Sequence, residues 1–277
     1  GRRNLIINGA MNVAQRGTQT SQTSGYTACD RFQFVENGSS VITTSQDTDV
    51  PSGEGFSNSL KIDVTNANPT VSSGNYGLLR TKFEGQDLQH LLYGTSGAKT
   101  LTLSFWVKSP KTGTHVVELH HTDAGYHNSI AYTVNSADTW ENKVVTFDGY
   151  QTTAFDNDAE RSLQVYWWLM AGSDNAGGTL TDNTWTNTAP NQAVGQVNVM
   201  DSTSNNFYLT GVQLEVGAVA TEFEHRSFGE ELALCRRYYM KTNTDRRAVS
   251  ARTDRMDVQI DFPVQMRTTP SISASGT

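Results

Sequence analysis

Alternation of apolar and polar residues is the clearest pattern in this chain, and it predicts β-strands. In LTLSFWV, at 101–107, the odd positions are apolar and face one way, whereas Thr102, Ser104 and Trp106 face the other. Further strands are predicted at 25–34, 41–45, 60–64, 77–83, 114–120, 129–134, 140–147 and 163–169, with an edge strand at 196–200. About eight to ten short strands separated by turn residues predict a two-sheet sandwich, a jelly roll.

The segment 207–239 contains a strand, a short connection and an amphipathic helix. The change of pattern between Gly211 and Val212 indicates a β-bulge. Ser227 and Glu230 have the spacing of a capping box, which starts a helix. The predicted half-buried face of the strand contains Tyr208, Thr210, Val212, Leu214 and Val216. The predicted docking face of the helix contains Phe228, Leu232, Cys235 and Tyr239.

These patterns divide the chain into three regions. An all-β jelly-roll sandwich is predicted over residues 1–225, a connecting helix over 226–241, and a small C-terminal β module over 242–277. Strands in the last region are predicted at 247–250, 256–262 and 266–272. About thirty-five residues are too few to enclose a core. We therefore expect this tail to dock on the sandwich or to pair with copies of itself in other chains.

Composition narrows the classes of function. The formal net charge of −7 argues against nucleic acid as a partner. Cys29 and Cys235 make no disulfide framework, and we expect both to be small buried apolar residues. The chain has no apolar run near the ~20 residues that span a bilayer, so we expect no membrane insertion.

One predicted sheet face combines aromatic rings with hydrogen-bonding groups. If strands 101–107, 114–120 and 163–169 are neighbours, this face collects Ser104, Trp106, Glu118, His120, Gln164, Tyr166 and Trp168. Flat apolar surfaces suit the C–H faces of sugar rings, and polar groups beside them suit the hydroxyls. The alternative is that Trp106 and Trp168 are buried beneath the helix or the N-terminal segment.

Two aromatic residues lie in polar loops. Tyr126 and Trp185 are candidates for ligand contact, or each fills the base of its own loop. The candidate carbohydrate-binding residues are therefore Trp106, Glu118, His120, Tyr126, Tyr166, Trp168 and Trp185.

Metal binding and catalysis find less support in the sequence than carbohydrate binding does. Adjacent residues of a strand point to opposite faces, so His120 and His121 do not join His127 in a metal site. Asp156 and Asp158 are interpreted as solvated loop acids. We expect no metal, no cofactor and no catalytic residue, although the 28 acidic residues leave a glycosidase open.

Several stretches resemble a known family. NLIINGAMNVAQRG, LTLSFWVKS, YWWLMAGSD, the segment 207–239 and FPVQMRTTPS together resemble bacteriophage and prophage tail-fibre-like structural proteins. The middle of the chain is similar to carbohydrate-binding modules of the galactose-binding-like jelly-roll type. In those modules NGxFE opens the first strand. Here residues 8–12 (NGAMN) take that place, and Asn12 lacks the acid that accompanies a structural calcium.

The resemblance implies a virion-located structural protein of tail-fibre or spike type that binds host-surface glycan. It implies other virion proteins and host polysaccharide as partners, and a homo-oligomer, with a trimer as the first choice. Family members tend to continue beyond FPVQMRTTPS, so part of the terminal module is expected outside this chain. The alternatives are a purely architectural virion protein, such as a head fibre or capsid decoration, and a polysaccharide-degrading enzyme.

Overall fold

The computed structural model describes residues 3–242 and 261–273. Their strands are β1 Gln19–Gln22, β2 Gly25–Tyr26, β3 Gln33–Asn37, β4 Val41–Asp47, β5 Ser59–Asn66, β6 Tyr76–Glu84, β7 Leu101–Lys108, β8 Gly113–His121, β9 Tyr126–Val134, β10 Glu141–Phe147, β11 Arg161–Ala171, β12 Trp185–Thr186 and β13 Asn206–Val216. The helices are α1 Ser173–Ala176 and α2 Phe228–Arg236, with single 3-10 turns at Gly85–Asp87, Gln89–Leu91, Ala189–Asn191 and Val199–Asp201.

The strands form two antiparallel sheets that pack face to face. The six-stranded sheet has the order β1-β4-β5-β13-β7-β10, and the seven-stranded sheet has the order β12-β9-β8-β11-β6-β3-β2. The predicted all-β class and jelly-roll-type sandwich are confirmed. Most of the predicted strands form, with ends that shift by a few residues.

The core lies between the sheets, as the alternation of β7 predicts. Its four odd-numbered side chains, from Leu101 to Val107, are fully buried. Phe105 meets Trp167 of β11 edge to face, with ring centroids 5.9 Å apart. Cys29 and Cys235 are free and buried, as expected. Burial of this interdigitated apolar layer is the main stabilising term of the fold.

Strand β13 contains the predicted bulge. Its pairing with β7 shifts register between Thr210 and Gln213, and Gly211 between them has a left-handed φ of 61°. The bulge moves the core-facing positions from one parity to the other. Phe207 and Leu209 face the core before it, and Val212 and Leu214 face the core after it.

The bulge also corrects the predicted half-buried face of β13. Tyr208 and Thr210 pair with Lys108 and Trp106 and lie on the outer face of the six-stranded sheet. A single alternating set over 208–216 is therefore wrong, because the inserted residue exchanges the two faces.

The N-terminal segment occupies the edge of β13 beyond its pairing with β5. Leu5 N–H donates to the Leu214 carbonyl (2.8 Å), and Val212 N–H donates to the Gly9 carbonyl (2.9 Å). The Asn4 amide also bonds both ways, accepting from Leu214 N–H (3.1 Å) and donating to the Val212 carbonyl (3.1 Å). These bonds satisfy backbone groups that would otherwise be buried without partners.

The capping box of α2 is present. The Ser227 hydroxyl accepts from Glu230 N–H, and the Glu230 carboxylate accepts from Ser227 N–H, so the helix begins at Phe228. The predicted docking face is only partly right. Cys235 is buried, but Phe228 is 58% exposed, because it lies in the first, outward turn.

Glu231, which is outside the predicted docking face, is a buried docking residue of α2. Its carboxylate accepts from Asn8 N–H (2.6 Å) and lies 3.3 Å from a guanidinium nitrogen of Arg226. A buried acid is tolerated here because donors surround it. The helix therefore docks on the N-terminal segment of the sandwich through a polar contact.

Three predicted strands need correction. Residues 25–34 split into β2 and β3, because the chain turns at Arg31, where φ is 77°. The edge strand at 196–200 is absent, and Asn198 instead caps a 3-10 turn through Met200 N–H. Residues 266–272 form no strand. The predicted strand at 247–250 lies outside the described residues, and so do residues 256–260 of the predicted strand at 256–262.

Replacement of Gly211 by alanine tests the bulge. An added Cβ would lie 2.7 Å from Phe56 Cζ and 3.0 Å from Trp106 Cδ1, in a left-handed conformation. We expect Gly211→Ala to lower the free energy of unfolding by about 2–4 kcal/mol, since left-handed strain and overpacking each cost on the order of 1–3 kcal/mol. Urea unfolding measures this.

The matched control is Gly17→Ala. Gly17 has a similar φ of 67°, but a Cβ there would meet no atom within 4 Å. It should lose only about 1 kcal/mol from strain. Equal losses in the two variants would show that packing at the bulge adds nothing.

Candidate functional site

The structure brings together four of the seven candidate residues. Strands β8 and β11 are neighbours in the seven-stranded sheet, with Tyr166 opposite Glu118 and Gln164 opposite His120. Trp168 follows on the same face of β11. The predicted combination of β8 with β11 is therefore correct, and it lies on the outer face of this sheet.

The inclusion of β7 in that face is wrong. β7 pairs with β10 and β13 in the six-stranded sheet, so Ser104 and Trp106 lie on the opposite outside surface of the sandwich. Trp106 is half-buried there beside Gly211 and cannot contact a ligand bound over Tyr166. Alternation fixes which face a residue occupies but not the sheet to which its strand belongs.

Glu118 is the centre of a buried polar network. Its carboxylate is fully buried and accepts hydrogen bonds from Trp168 Nε1 (3.0 Å), His120 Nδ1 (3.0 Å) and Gln192 Nε2 (3.3 Å). Three donors satisfy the buried acceptor, which would otherwise be costly. The network fixes the orientations of the indole and imidazole rings.

His120 is the ring of this group that solvent reaches. Its side chain is 23% exposed and stacks on Tyr166, with centroids 5.3 Å apart and an interplanar angle of 16°. Because its Nδ1 faces a carboxylate oxygen, that nitrogen donates to Glu118, and Nε2 has no protein partner in the described residues.

Trp168 is a packing residue. It is 2% exposed, contacts Tyr76 edge to face, and forms a small cluster with Val116 and Ala193. Ala193 belongs to the segment 172–197, which covers this end of the face. The alternative of a buried tryptophan is therefore correct, but the cover is this segment and not α2.

Six side chains of this face form a set that we name the outer-face strip: Gln33, Arg80, Lys82, His120, Gln164 and Tyr166. The first four are partly exposed, whereas Gln164 and Tyr166 are buried between their neighbours. All six lie in two register rows of the sheet. Arg80 Nε donates to Gln33 Oε1 (3.0 Å). Gln164 Oε1 is buried and has no hydrogen-bond partner in the described residues. The strip thus joins aromatic surface to unused hydrogen-bonding groups.

Burial sets the protonation of several groups on this face. It raises the pKa of the Tyr166 phenol, with Glu118 adding to the effect, and it lowers the pKa of His127. Both are therefore neutral near pH 7. Burial, together with Arg80 and Arg161, also lowers the pKa of Lys82 to about 7.

The two loop aromatics fill one end of the sandwich. Trp185 forms β12, donates its Nε1–H to the Asp148 carbonyl (2.7 Å) and lies 5.2 Å from the Tyr150 ring. Tyr126 is also 5.2 Å from Tyr150. Both are half-buried and pack against the main core, so the geometry fits the alternative in which they fill the bases of their loops.

Three strip residues were missed from the sequence. Gln33, Arg80 and Lys82 lie at outward positions of strands that alternation predicts. The signal exists in GLLRTKF at 77–83, where Arg80 and Lys82 alternate with the buried Leu79 and Phe83. Two outward cations on one central strand already indicate a charged surface.

Searches for a metal site and for membrane spans gave negative results within residues 3–242 and 261–273. No group of three or more His, Cys, Asp or Glu side chains in these ranges is placed to hold a metal ion. No helix there has the length and apolar character to cross a bilayer.

Comparison with known proteins finds similarity in structure only. No protein-family model matches the chain, and no curated protein matches it in sequence. One similar structure is the enzymatically active domain of tailspike protein 4 of bacteriophage CBA120, at 15% identity and a TM-score of 0.40. The match covers 77% of this chain and 21% of that chain, so it spans about a fifth of the tailspike chain.

Carbohydrate-binding modules are also among the similar structures. TmCBM61 in complex with beta-1,4-galactotriose matches at 8% identity and a TM-score of 0.39, over 78% of this chain and 100% of that chain. The family 11 carbohydrate-binding module of the cellulase Lic26A-Cel5E of Clostridium thermocellum matches at 11% identity and a TM-score of 0.35, over 74% and 97%. At these identities the likeness concerns the fold alone.

The lowered pKa of Lys82 predicts how stability changes with pH. The unfolded chain holds this proton up to its ordinary value of 10.5, whereas the folded chain releases it near 7. Between these values the unfolded state binds more protons, so this lysine makes stability rise with pH. The destabilising contribution of its charge has its full size below pH 7, decreases as the pH rises, and is absent above about pH 10.5.

We expect Lys82→Met to raise the melting temperature by a few degrees at pH 6, with a difference from the parent that shrinks between pH 7 and pH 10. Lys99→Met is the charge-matched control, because Lys99 is exposed. Thermal unfolding over a pH series measures both. A difference that does not change with pH, or that is the same for Lys99→Met, would contradict the prediction.

Proposed function

We propose that the protein binds carbohydrate without catalysis, and that a saccharide lies along the outer-face strip. The observation that carries this proposal is the stacked pair of His120 and Tyr166, flanked in the same two register rows by hydrogen-bonding side chains. Sugar recognition requires both an apolar surface for C–H groups and polar groups for hydroxyls.

The hydrogen-bonding capacity of the strip suits hydroxyl groups, which both donate and accept. His120 Nε2 has no protein partner in the described residues, and Gln164 Oε1, also without a partner there, is buried beside it, so a ligand would reach it only by displacing its neighbours. Arg80 donates Nε–H to Gln33 and also hydrogen-bonds the Tyr166 phenol, and its remaining N–H groups are available as donors. The Glu118 network holds the imidazole ring in place, so little conformational entropy is lost on binding.

The register rows that contain the strip lack the pair of carboxylates that hydrolysis requires, which supports binding without catalysis. Most glycosidases use two carboxyl groups separated by roughly 5–10 Å across the bond that they cleave. The two register rows hold one carboxylate, that of Glu118, which is fully buried and accepts from three protein donors. We therefore assign it a positioning role.

We also propose that the protein is a structural component of a bacteriophage virion, of tail-fibre or spike type, with host-surface polysaccharide as its ligand. The resemblance of the segment 207–239 to tail-fibre-like proteins supports this role. The small C-terminal region supports self-association, with a trimer expected first. Light scattering of the complete natural protein at micromolar concentration should show an oligomer, and a monomer there would contradict self-association.

Glycan binding is tested by titration calorimetry against bacterial surface polysaccharides and their oligosaccharide fragments. A single site should bind weakly, with several copies supplying avidity. His120→Ala should reduce affinity about tenfold or more, because it removes both a ring and an acceptor, and a tenfold loss corresponds to about 1.4 kcal/mol. Arg80→Gln should also weaken binding, through the lost donors.

His90→Ala is the matched control, because His90 is an exposed histidine outside the strip. Trp185→Ala tests the other sequence-predicted location. Binding that survives in His120→Ala but disappears in Trp185→Ala would place the sugar at the loops. Absence of binding to every glycan in the panel would favour the purely architectural role.

A further inference from the structure

Four cations gather at one end of the outer-face strip. Arg31, Arg80, Lys82 and Arg161 have no carboxylate partner within the described residues, whereas most of the other cations described there form ion pairs. The whole chain carries a formal charge of −7. A positive cluster in an acidic protein is a local feature and cannot result from general basicity.

Lys82 is the least compensated member of this cluster. Its ammonium group has no hydrogen-bond acceptor in the described residues, although it lies 5.6 Å from the centroid of the Tyr26 ring. Burial is the main cause of its lowered pKa, and the like charges of Arg80 and Arg161 add to the effect. Like charges in a partly buried cluster destabilise the fold unless an anion joins them.

Arg31 approaches the same place from the turn before β3. It is 7% exposed, its guanidinium carbon lies 3.3 Å from the centroid of the Tyr238 ring, and its Nη2 donates to the Lys82 carbonyl. Its Nε–H is buried and has no partner in the described residues. A buried donor without an acceptor costs free energy and is therefore uncommon in folded proteins.

A cavity of about 80 Å³ lies between three of these cations, Arg31, Lys82 and Arg161. Its walls include Tyr26, Arg31, Lys82, Arg161 and Tyr238. A water molecule needs roughly 10–15 Å³ of such space, so a carboxylate or phosphate group fits. Lys82 belongs to both the cavity and the strip, which makes the two surfaces continuous.

The acids at the rim of the cavity are already engaged. Burial alone would raise the pKa of Glu84, but hydrogen bonds from Arg237 and Tyr238 hold it below its ordinary value. Glu160 pairs with Arg267 at 2.9 Å. Neither carboxylate is therefore free to neutralise Lys82.

We propose that this cavity binds the anionic group of an acidic saccharide, with a uronate carboxylate as the first choice, while the neutral rings lie along the outer-face strip. This inference rests on the proposed carbohydrate-binding function and specifies its ligand class. Hydrogen bonds between an anion and Arg or Lys are about twice as strong as neutral ones. The anion would also give the Arg31 Nε–H and the Lys82 ammonium the acceptors that they lack.

The test compares uronate-containing oligosaccharides with neutral ones of the same length, by calorimetry at pH 6. We expect the parent protein to prefer the acidic oligosaccharide by about tenfold or more. Arg161→Gln, at a cavity residue outside the strip, should remove this preference and leave the affinity for the neutral oligosaccharide unchanged, and Lys82→Met should also remove the preference. The charge-matched control Lys99→Met should behave as the parent does. Sulfated and phosphorylated oligosaccharides identify which anion the cavity selects.

Equal affinity for acidic and neutral oligosaccharides would overturn the inference and leave the proposed function standing. A preference that persists in both cavity variants would also overturn it. Thermal shift with free glucuronate, inorganic phosphate and glucose separates the remaining cases. If no oligosaccharide binds but glucuronate or phosphate stabilises the parent and not Lys82→Met, the anion site stands and carbohydrate binding fails. If nothing binds or stabilises, both fail.

Discussion

The bulge at Gly211 is the constraint on which the architecture depends. Strand β13 lies at the centre of the six-stranded sheet, and its two halves bury side chains of opposite parity. This switch requires an extra residue in a left-handed conformation, which glycine adopts without strain. Beyond the bulge, the N-terminal segment replaces β5 as the hydrogen-bonding neighbour. A Cβ on Gly9 would lie 2.1 Å from the Val212 carbonyl oxygen, so the close approach of this segment also requires glycine.

The outer face of the seven-stranded sheet has satisfied polar groups at one end and unpaired cations at the other. At one end the segment 172–197 buries Trp168, and the fully satisfied Glu118 carboxylate organises the surrounding rings. At the other end four cations stand together without partner acids in the described residues, and a buried Arg31 donor lacks an acceptor. The first arrangement stabilises the fold and the second destabilises it. Groups that destabilise an unliganded protein are expected where a ligand supplies the missing interaction.

The candidate site was partly predictable. Alternation in two strands placed Glu118, His120, Tyr166 and Trp168 on one face, and antiparallel pairing of β8 with β11 brought them together. It could not show that β7, which directly precedes β8, crosses to the other sheet, so Trp106 was wrongly added. The burial of Trp168 was not predictable from the sequence either, because the segment 172–197 that covers it has no regular pattern of apolar and polar residues.

The sequence by itself determined most of the strands, the all-β class, the bulge and the start of α2, because these follow from patterns of residues close together in the chain. Alternation of side chains indicates a strand, Gly211 indicates the bulge, and the Ser227–Glu230 pair indicates the start of a helix. Each signal acts through residues that are neighbours in the chain. Tertiary structure alone decided that Arg31 meets Lys82, that Glu231 docks α2 on Asn8, and which rings remain accessible. Those contacts join residues far apart in sequence. They depend on sheet order and loop paths, which alternation does not encode.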